Sequence, residues 1–314
     1  MKKINLSEAA SLLKSHDNFY ILTHKFPDGD TIGCAHALCK ALRKIGKKAN
    51  VLLDKNVAKQ YSYMTDIYKD EDFSCEYVVS VDVAAEKLLA DVCESYKDKI
   101  DLCIDHHGSN SLNAEYKIVD ANAGAACEIV FEIIKLLSVE IDKEIANAIY
   151  AGIVTDTGCF RYQNTTVNTH KVAIELMPLC DWEMINKIHY ETKSRNRIAL
   201  DKLLYESLEY YCDNKCAIMS ATLDIQKKAN AGADELEGIA GIPRTIEGVK
   251  IGITIREKEN GVYKISVRTN DGVDAAKYCE AFGGGGHVAA AGCTITDTLD
   301  NVKAMLVKRA EESL

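Results

Sequence analysis

A chain of 314 residues is longer than one compact core usually grows, so two lobes of roughly 100–200 residues each are expected. With 47% hydrophobic residues it can bury a core in both, and no apolar run approaches membrane-spanning length. A formal charge of −9 argues against a broad basic track for long nucleic acid, because each neutralised phosphate needs a Lys or Arg; a small anionic substrate held by a few local cations is still allowed.

The opening stretch MKKINLSEAASLLKSHDNFY is basic at its start but lacks the apolar run and small-residue cleavage site of a signal peptide, so a cytoplasmic protein is expected. Apolar, β-branched runs then alternate with amphipathic stretches: FYILT (19–23), NVLL (50–53), YVVSVDV (77–83) and DLCID (101–105). That alternation predicts an α/β fold, with an N-terminal parallel sheet flanked by helices. After the first strand, Ile32, Ala35, Cys39, Leu42 and Ile45 keep helical spacing, and Gly46 closes the pattern. Helices are also predicted over 124–137 and 144–154, followed by a polar connecting helix over about 188–210. Beyond it, CAIMSATL (216–223) and the long β-rich stretch 249–269 precede helices at 274–281 and after Thr298. Asn260-Gly261 reads as a tight hairpin turn, both residues tolerating positive φ. The expected division is therefore 1–190, a helical linker 191–210, and a smaller mixed-sheet α/β domain 211–314.

Twelve cysteines, among them Cys34, Cys39, Cys103, Cys127 and Cys159, scatter through apolar segments without a paired CxxC, which favours reduced packing thiols over disulfides. Cys212 and Cys216 form a lone CxxxC and lack two further ligands for zinc.

Four places in the first lobe put Asp or His where a strand or helix gives way to a loop: His24, Asp28 and Asp30; Asp82; Asp105, His106 and His107; and Asp156. Singly each has a plain structural reading. Asp30 could cap a helix starting near Thr31, Asp82 and Asp105 could sit in strand-end turns, and Asp156 could help end a helix. Together they fit a ligand site at the carboxyl ends of a parallel sheet. Two unit charges repel by about 4 kcal/mol at about 4 Å and an effective dielectric of about 20, so four clustered carboxylates call for cations. Mixed carboxylate and imidazole ligands suit Mn²⁺ and leave Mg²⁺, Co²⁺ and Zn²⁺ open.

HKFPDGD (24–30), VDV (81–83), DHHG (105–108) and VTDTG (154–158), in that order, resemble the four motifs of the DHH phosphoesterases, and FGGGGHVAAAG (282–292) resembles the GGGH signature of their DHHA1 domain. Length and paired domains are most similar to the nanoRNase-type oligoribonuclease branch, which also dephosphorylates 3′-phosphoadenosine-5′-phosphate (pAp). The resemblance implies two Mn²⁺ ions: His24 and Asp28 on one, Asp30, His106 and Asp156 on the other, and Asp82 bridging. It places Asp105 behind a histidine as its orienting partner. Gly29 is expected to let the backbone turn closely, and Pro27 to stiffen it.

In the second lobe the glycines Gly284, Gly285 and Gly286 could expose backbone N–H groups to an anion as nests do, with His287 reaching a terminal phosphate or base. Arg268 can form a bidentate contact with phosphate, and Arg244 is a weaker candidate. Phe160, Arg161 and Tyr162 follow the fourth motif and read either as core or as cleft lining.

The resemblance implies attack of an activated water on the scissile phosphate, with His107 stabilising charge or protonating the leaving oxygen. A two-lobed cleft would favour short RNA oligonucleotides of a few units, pAp or dinucleotides, and a homodimer is left open. Rival readings are a soluble cyclic or linear dinucleotide phosphodiesterase, an inorganic pyrophosphatase, a recombination-type exonuclease, and a non-catalytic nucleotide sensor. The GGGH stretch argues against the pyrophosphatase, and the intact ligand set against the sensor.

Overall fold

The computed structural model describes residues 1–55, 57–270 and 272–314, in two units, Met1–Thr192 and Lys193–Leu314. In the first, six parallel strands form one sheet: β1 (Lys2–Lys3), β2 (Phe19–Leu22), β3 (Ala49–Leu52), β4 (Tyr77–Val81), β5 (Leu102–Asp105) and β6 (Tyr116–Val119), in the order β1-β6-β5-β4-β2-β3. Strand periodicity divides the side chains between two cores. Phe19, Ile21, Val79, Val81, Leu102 and Ile104 pack under the helices Leu6–Ser15, Gly29–Lys44, Ala126–Leu136 and Lys143–Asp156. Leu22, Val78 and Cys103 face the opposite way, against Leu89, Cys93 and Leu112.

β2 has β3 on one side and β4 on the other, so the crossover from β2 to β3 and the next one, from β3 back to β4, run in opposite directions. A crevice opens at the carboxyl ends of strands where the order reverses in this way. Thr23 and His24 follow β2 there, and Asp82 follows β4.

Helix Gly29–Lys44 lies deep, buried at thirteen positions, and packs closely on Lys143–Asp156. Glycines permit that approach: a Cβ on Gly29 would stand 2.2 Å from the Thr155 hydroxyl, and one on Gly152 would stand 2.3 Å from Cys127 Sγ and 2.9 Å from Asp30 Oδ1. Gly29 is therefore required for helix contact rather than for a turn. The cap also differs from the sequence reading, because Asp28 occupies it, its Oδ1 accepting from the N–H groups of Asp30 (3.0 Å) and Thr31 (3.2 Å). The helix starts two residues earlier than the pattern of apolar positions suggests.

The connecting helix expected over 188–210 is broken. A π-helical turn over Lys187–Glu191 ends at Thr192 in extended conformation, and Ser194 caps a new helix, Arg195–Glu206, by accepting from Arg197 N–H at 2.9 Å. Ser and Thr at this spacing offer the backbone a cap that outcompetes helix continuation.

The second unit carries β7 (Glu209–Tyr211), β8 (Cys216–Ala221), β9 (Ile251–Glu259), β10 (Val262–Thr269), β11 (Gly285–His287) and β12 (Ala290–Thr296), ordered β11-β12-β10-β9-β8-β7. Only β8 and β9 run parallel. Helices Ala275–Glu280 and Leu299–Ser313 cover one face, and Arg195–Glu206 packs on part of the other. In the β9–β10 turn only Gly261 takes positive φ (+77°), and a bulge at Val262/Tyr263 absorbs the remaining twist. All twelve cysteines are free thiols, and Cys212 and Cys216 join no metal-competent cluster among the described residues.

Candidate metal and phosphoester site

Residues from four separate segments of the first unit converge at the carboxyl ends of β2, β4 and β5. His24 Nε2 stands 3.6 Å from Asp28 Oδ1 and 3.7 Å from Asp82 Oδ2. His106 Nε2 stands 3.9 Å from Asp30 Oδ2, 3.6 Å from Asp82 Oδ1 and 3.5 Å from Asp156 Oδ2. Among the described residues four overlapping groups have ligand atoms within 4.8 Å of one another: His24 with Asp28 and Asp82, Asp30 with His106 and Asp156, Asp82 with His106 and His107, and Asp30 with Cys34 and Cys127; the first two match the expected pair of ions. The two oxygens of Asp82 are shared out, one toward the histidine of each of those two.

Local chemistry sets each side chain. Asp30 is buried, and its carboxylate accepts from the N–H groups of Ala126 (2.6 Å) and Cys127 (2.9 Å) at the start of helix Ala126–Leu136, where the helix dipole favours a negative charge. Asp82 takes a left-handed conformation (φ +54°) that Asp tolerates better than most residues, its N–H fixed on Ile104 O at 2.9 Å. The carbonyl of Ala123 accepts from His106 Nδ1 at 3.1 Å, which leaves the lone pair of Nε2 facing the three carboxylates.

Such a set of electron-rich atoms is in tension without a cation. Burial, then Asp30 and Asp28, push the Asp82 carboxyl well above the usual carboxylate range, and its Oδ1 is buried with no hydrogen-bond partner among the described residues. Burial, then Asp30, raise Asp156 to about 7. Burial lowers the His106 pKa, but Asp30, Asp156 and Asp82 outweigh it and the net shift is upward. An orphaned carboxylate oxygen, a tautomer-fixed imidazole and paired carboxylates are what two divalent ions would satisfy, so the donor set fits them.

Asp105 differs, being buried and saturated. It accepts from His106 N–H (2.8 Å), His107 N–H (3.3 Å), His107 Nδ1–H (2.8 Å) and Asn110 Nδ2 (2.5 Å). The bond to Asp105 raises the His107 pKa and fixes its proton on Nδ1, leaving Nε2 for an outside partner. Sequence reasoning missed the layer behind. Buried Lys117 donates to Asn110 Oδ1 at 2.8 Å, and Asn164 Nδ2 holds the Asp156 carbonyl and carboxylate at 3.2 and 3.3 Å. Asn110, two residues past DHHG, was the one visible signal; the backbone groups of Ala123, Ala126 and Cys127 carry none.

After Asp156 the chain runs through Gly158, Cys159 and Phe160 at consecutive positive φ. Phe160 packs on the core and stacks on His170, Arg161 lies 5.4 Å from the Tyr190 ring, and Tyr162 is exposed.

In the second unit, Gly285–His287 is an exposed edge strand paired with β12, so the glycines form neither a nest nor a helix terminus. Gly284 and Gly286 are needed for close packing: a Cβ on either would stand 2.3 or 2.5 Å from the carbonyl oxygens of Gly292 and Ala290. His287, Ala290, Arg268 and Gly252 are direct cross-strand partners, which puts their Cα–Cβ directions on one face. The Arg244 backbone lies over Gly252 on that face, since a Cβ there would stand 2.5 Å from Arg244 N. Of the residues singled out for substrate contact, His287 and Arg268 thus project from one face of the sheet, and the Arg244 backbone lies over the same face.

Family models match residues 18–153 as the DHH family N-terminal domain and residues 213–314 as the DHHA1 domain. The chain is 30% identical to the bifunctional oligoribonuclease and PAP phosphatase NrnA of Thermus thermophilus, with 97% of this chain and 93% of that protein aligned. The fold is shared with an exopolyphosphatase-related protein from Bacteroides fragilis (TM-score 0.86, 24% identity, 98% of this chain and 94% of that chain). It is shared more distantly with RecJ of Thermus thermophilus in complex with Mn²⁺ (TM-score 0.58, 14% identity, 98% and 54%). The chain belongs to the DHH family, in the branch that carries a DHHA1 domain.

Proposed function

We propose that this protein is a phosphoester hydrolase that cleaves short oligoribonucleotides to 5′-mononucleotides and converts pAp to AMP at a site for two Mn²⁺ ions. The observation that carries the reading is the division of Asp82 between the two groups, one oxygen 3.7 Å from His24 and the other 3.6 Å from His106. The name of the Thermus relative supports the substrate class, and the Mn²⁺ in the RecJ complex supports the metal.

In this reading His24 and Asp28 would hold one ion, Asp30, His106 and Asp156 the other, and Asp82 would serve both. Bound divalent ions supply Lewis acidity toward water and phosphoryl oxygens. Asp105 keeps the His107 imidazole in one tautomer and favours its protonated form, so Nε2–H can donate to the departing oxygen. Arg244, Arg268 and His287 of the second unit supply the basic groups that would bind the substrate's phosphate or base.

The test is a product time course with Mn²⁺ on pAp, a linear dinucleotide, a five-unit RNA and a cyclic dinucleotide. Release of phosphate from pAp and of 5′-mononucleotides from the linear substrates is expected. Turnover of the cyclic dinucleotide alone, or of none, would reject the reading.

A further inference from the structure

The loop that joins His24 to Asp28 carries a side chain that folding does not explain. Phe26 is 74% exposed, whereas the other five phenylalanines are buried or half-buried. Leaving a phenyl ring in water forfeits the stabilisation that its burial would bring. Single exposed apolar residues are common on proteins and carry no meaning alone. The surroundings of this one are unusual in three respects.

First, the loop is anchored. Lys25 N–H donates to Leu88 O at 2.8 Å, Ala90 N–H donates to Thr23 O at 3.0 Å, and His24 forms a bridge with Leu89. Pro27 then fixes the next φ, so the bow Lys25–Pro27 has little freedom to fold the ring inward. Second, both ends of the bow belong to the site, since His24 Nε2 and Asp28 Oδ1 converge to 3.6 Å. Two residues of chain span at most ~7 Å, so the Phe26 Cα lies within that distance of the Cα atoms of both His24 and Asp28. A nucleotide whose phosphate reacts at the site has its base about one such length away. Third, the Lys25 ammonium stands 5.5 Å from the centroid of the Phe26 ring. A π-face beside a cation is the pairing that receives a base and its neighbouring phosphate in single-stranded nucleic acid.

We infer that Lys25 and Phe26 form a nucleobase subsite, in which the base next to the reacting phosphate stacks on the Phe26 ring. The inference rests on the phosphoesterase reading above. Stacking is tolerant of base identity, so the subsite selects for the presence of a base rather than its type.

The test uses the full-length protein with Mn²⁺, a linear diadenylate, and two analogues each lacking one base. Phe26→Ala is expected to raise KM for the diadenylate about tenfold with kcat within about twofold, and Phe26→Tyr to restore it. One abasic analogue is expected to become insensitive to Phe26→Ala, because its missing base is the one that stacks. Binding is read separately with a dinucleotide carrying 2-aminopurine at that position, in Ca²⁺, where stacking quenches its fluorescence in the wild type and not in Phe26→Ala. Normal turnover with KM and quenching unmoved by Phe26→Ala would overturn the subsite and spare the hydrolase reading. Quenching that depends on Phe26 in a wild type inactive on every substrate would sustain the subsite and reject the hydrolase reading.

Discussion

Asp82 concentrates the site's electrostatic tension in one side chain. Its Oδ1 is buried without a hydrogen-bond partner among the described residues, its backbone is left-handed, and burial with Asp30 and Asp28 nearby disfavours its charged form. Asp82→Asn keeps the shape and removes the charge. Mn²⁺-dependent turnover is expected to fall by more than about 100-fold, beyond the loss that follows removal of outer partners of metal ligands. The metal-free variant should melt no lower than the wild type, because less like charge is confined. Near-normal activity at saturating Mn²⁺ would remove Asp82 from the bridging role. At this scale every side chain of the two groups was legible, since His24, Asp28, Asp30, Asp82, His106 and Asp156 each stand at or beside the start or end of a strand or helix. What was illegible is what holds them: the amides of Ala126 and Cys127 on Asp30 and the carbonyl of Ala123 on His106 are backbone groups with no residue signature.

Helix Gly29–Lys44 joins the site to the core, and its packing on Lys143–Asp156 sets how near Asp156 comes to Asp30. Gly152→Ala would push a methyl to 2.3 Å from Cys127 Sγ and toward Asp30. Overpacking of this kind costs about 1–3 kcal/mol, to be read as a lower midpoint in urea, and loss of activity should exceed that expected from the unfolded fraction alone. The same helix buries His36, both of whose ring nitrogens lack hydrogen-bond partners among the described residues, beside a cavity of about 140 Å³. Burial, with Arg43 adding, pushes its pKa down to about 4. The unfolded imidazole binds its proton first as pH falls, so the stability tied to neutral His36 is complete above about pH 6.5 and is lost toward pH 4. Between pH 7 and 4.5 the wild type should lose about 2–3 kcal/mol more than His36→Phe in urea titrations, at about 1.4 kcal/mol per pH unit; parallel profiles would refute this. Elements with a strong period were legible, from FYILT to the helix after Thr298. β1 has two lysines and β6 a buried Lys117, so neither shows strand alternation, and the glycines of β11 have no side chains to show any. The break at Thr192 turned on a serine cap that the surrounding helical residues concealed.

The whole chain is built of two units with separate cores. Every residue of the metal-competent groups lies within Met1–Thr192, while Arg244, Arg268 and His287 lie within Lys193–Leu314. The apolar clusters respect the same boundary, none drawing residues from both sides. A ligand that binds the folded state stabilises the cooperative unit that contains its site, by about 2.7 kcal/mol at 100 times Kd. Scanning calorimetry of the full chain should therefore resolve two transitions. Mn²⁺ should raise only the one that reports on Met1–Thr192, and a chelator should reverse the rise. Assignment follows from Asp82→Asn, which should leave both transitions in place and abolish the Mn²⁺ response. The carboxylates that repel one another without metal are the ones the ions would neutralise, so the rise should be larger than that given by the same concentration of a monovalent salt, which only screens exposed charge. A rise of both transitions together, or an equal rise in Asp82→Asn, would mean that Mn²⁺ acts elsewhere, and the proposed division of metal and substrate work between the units would fall with it.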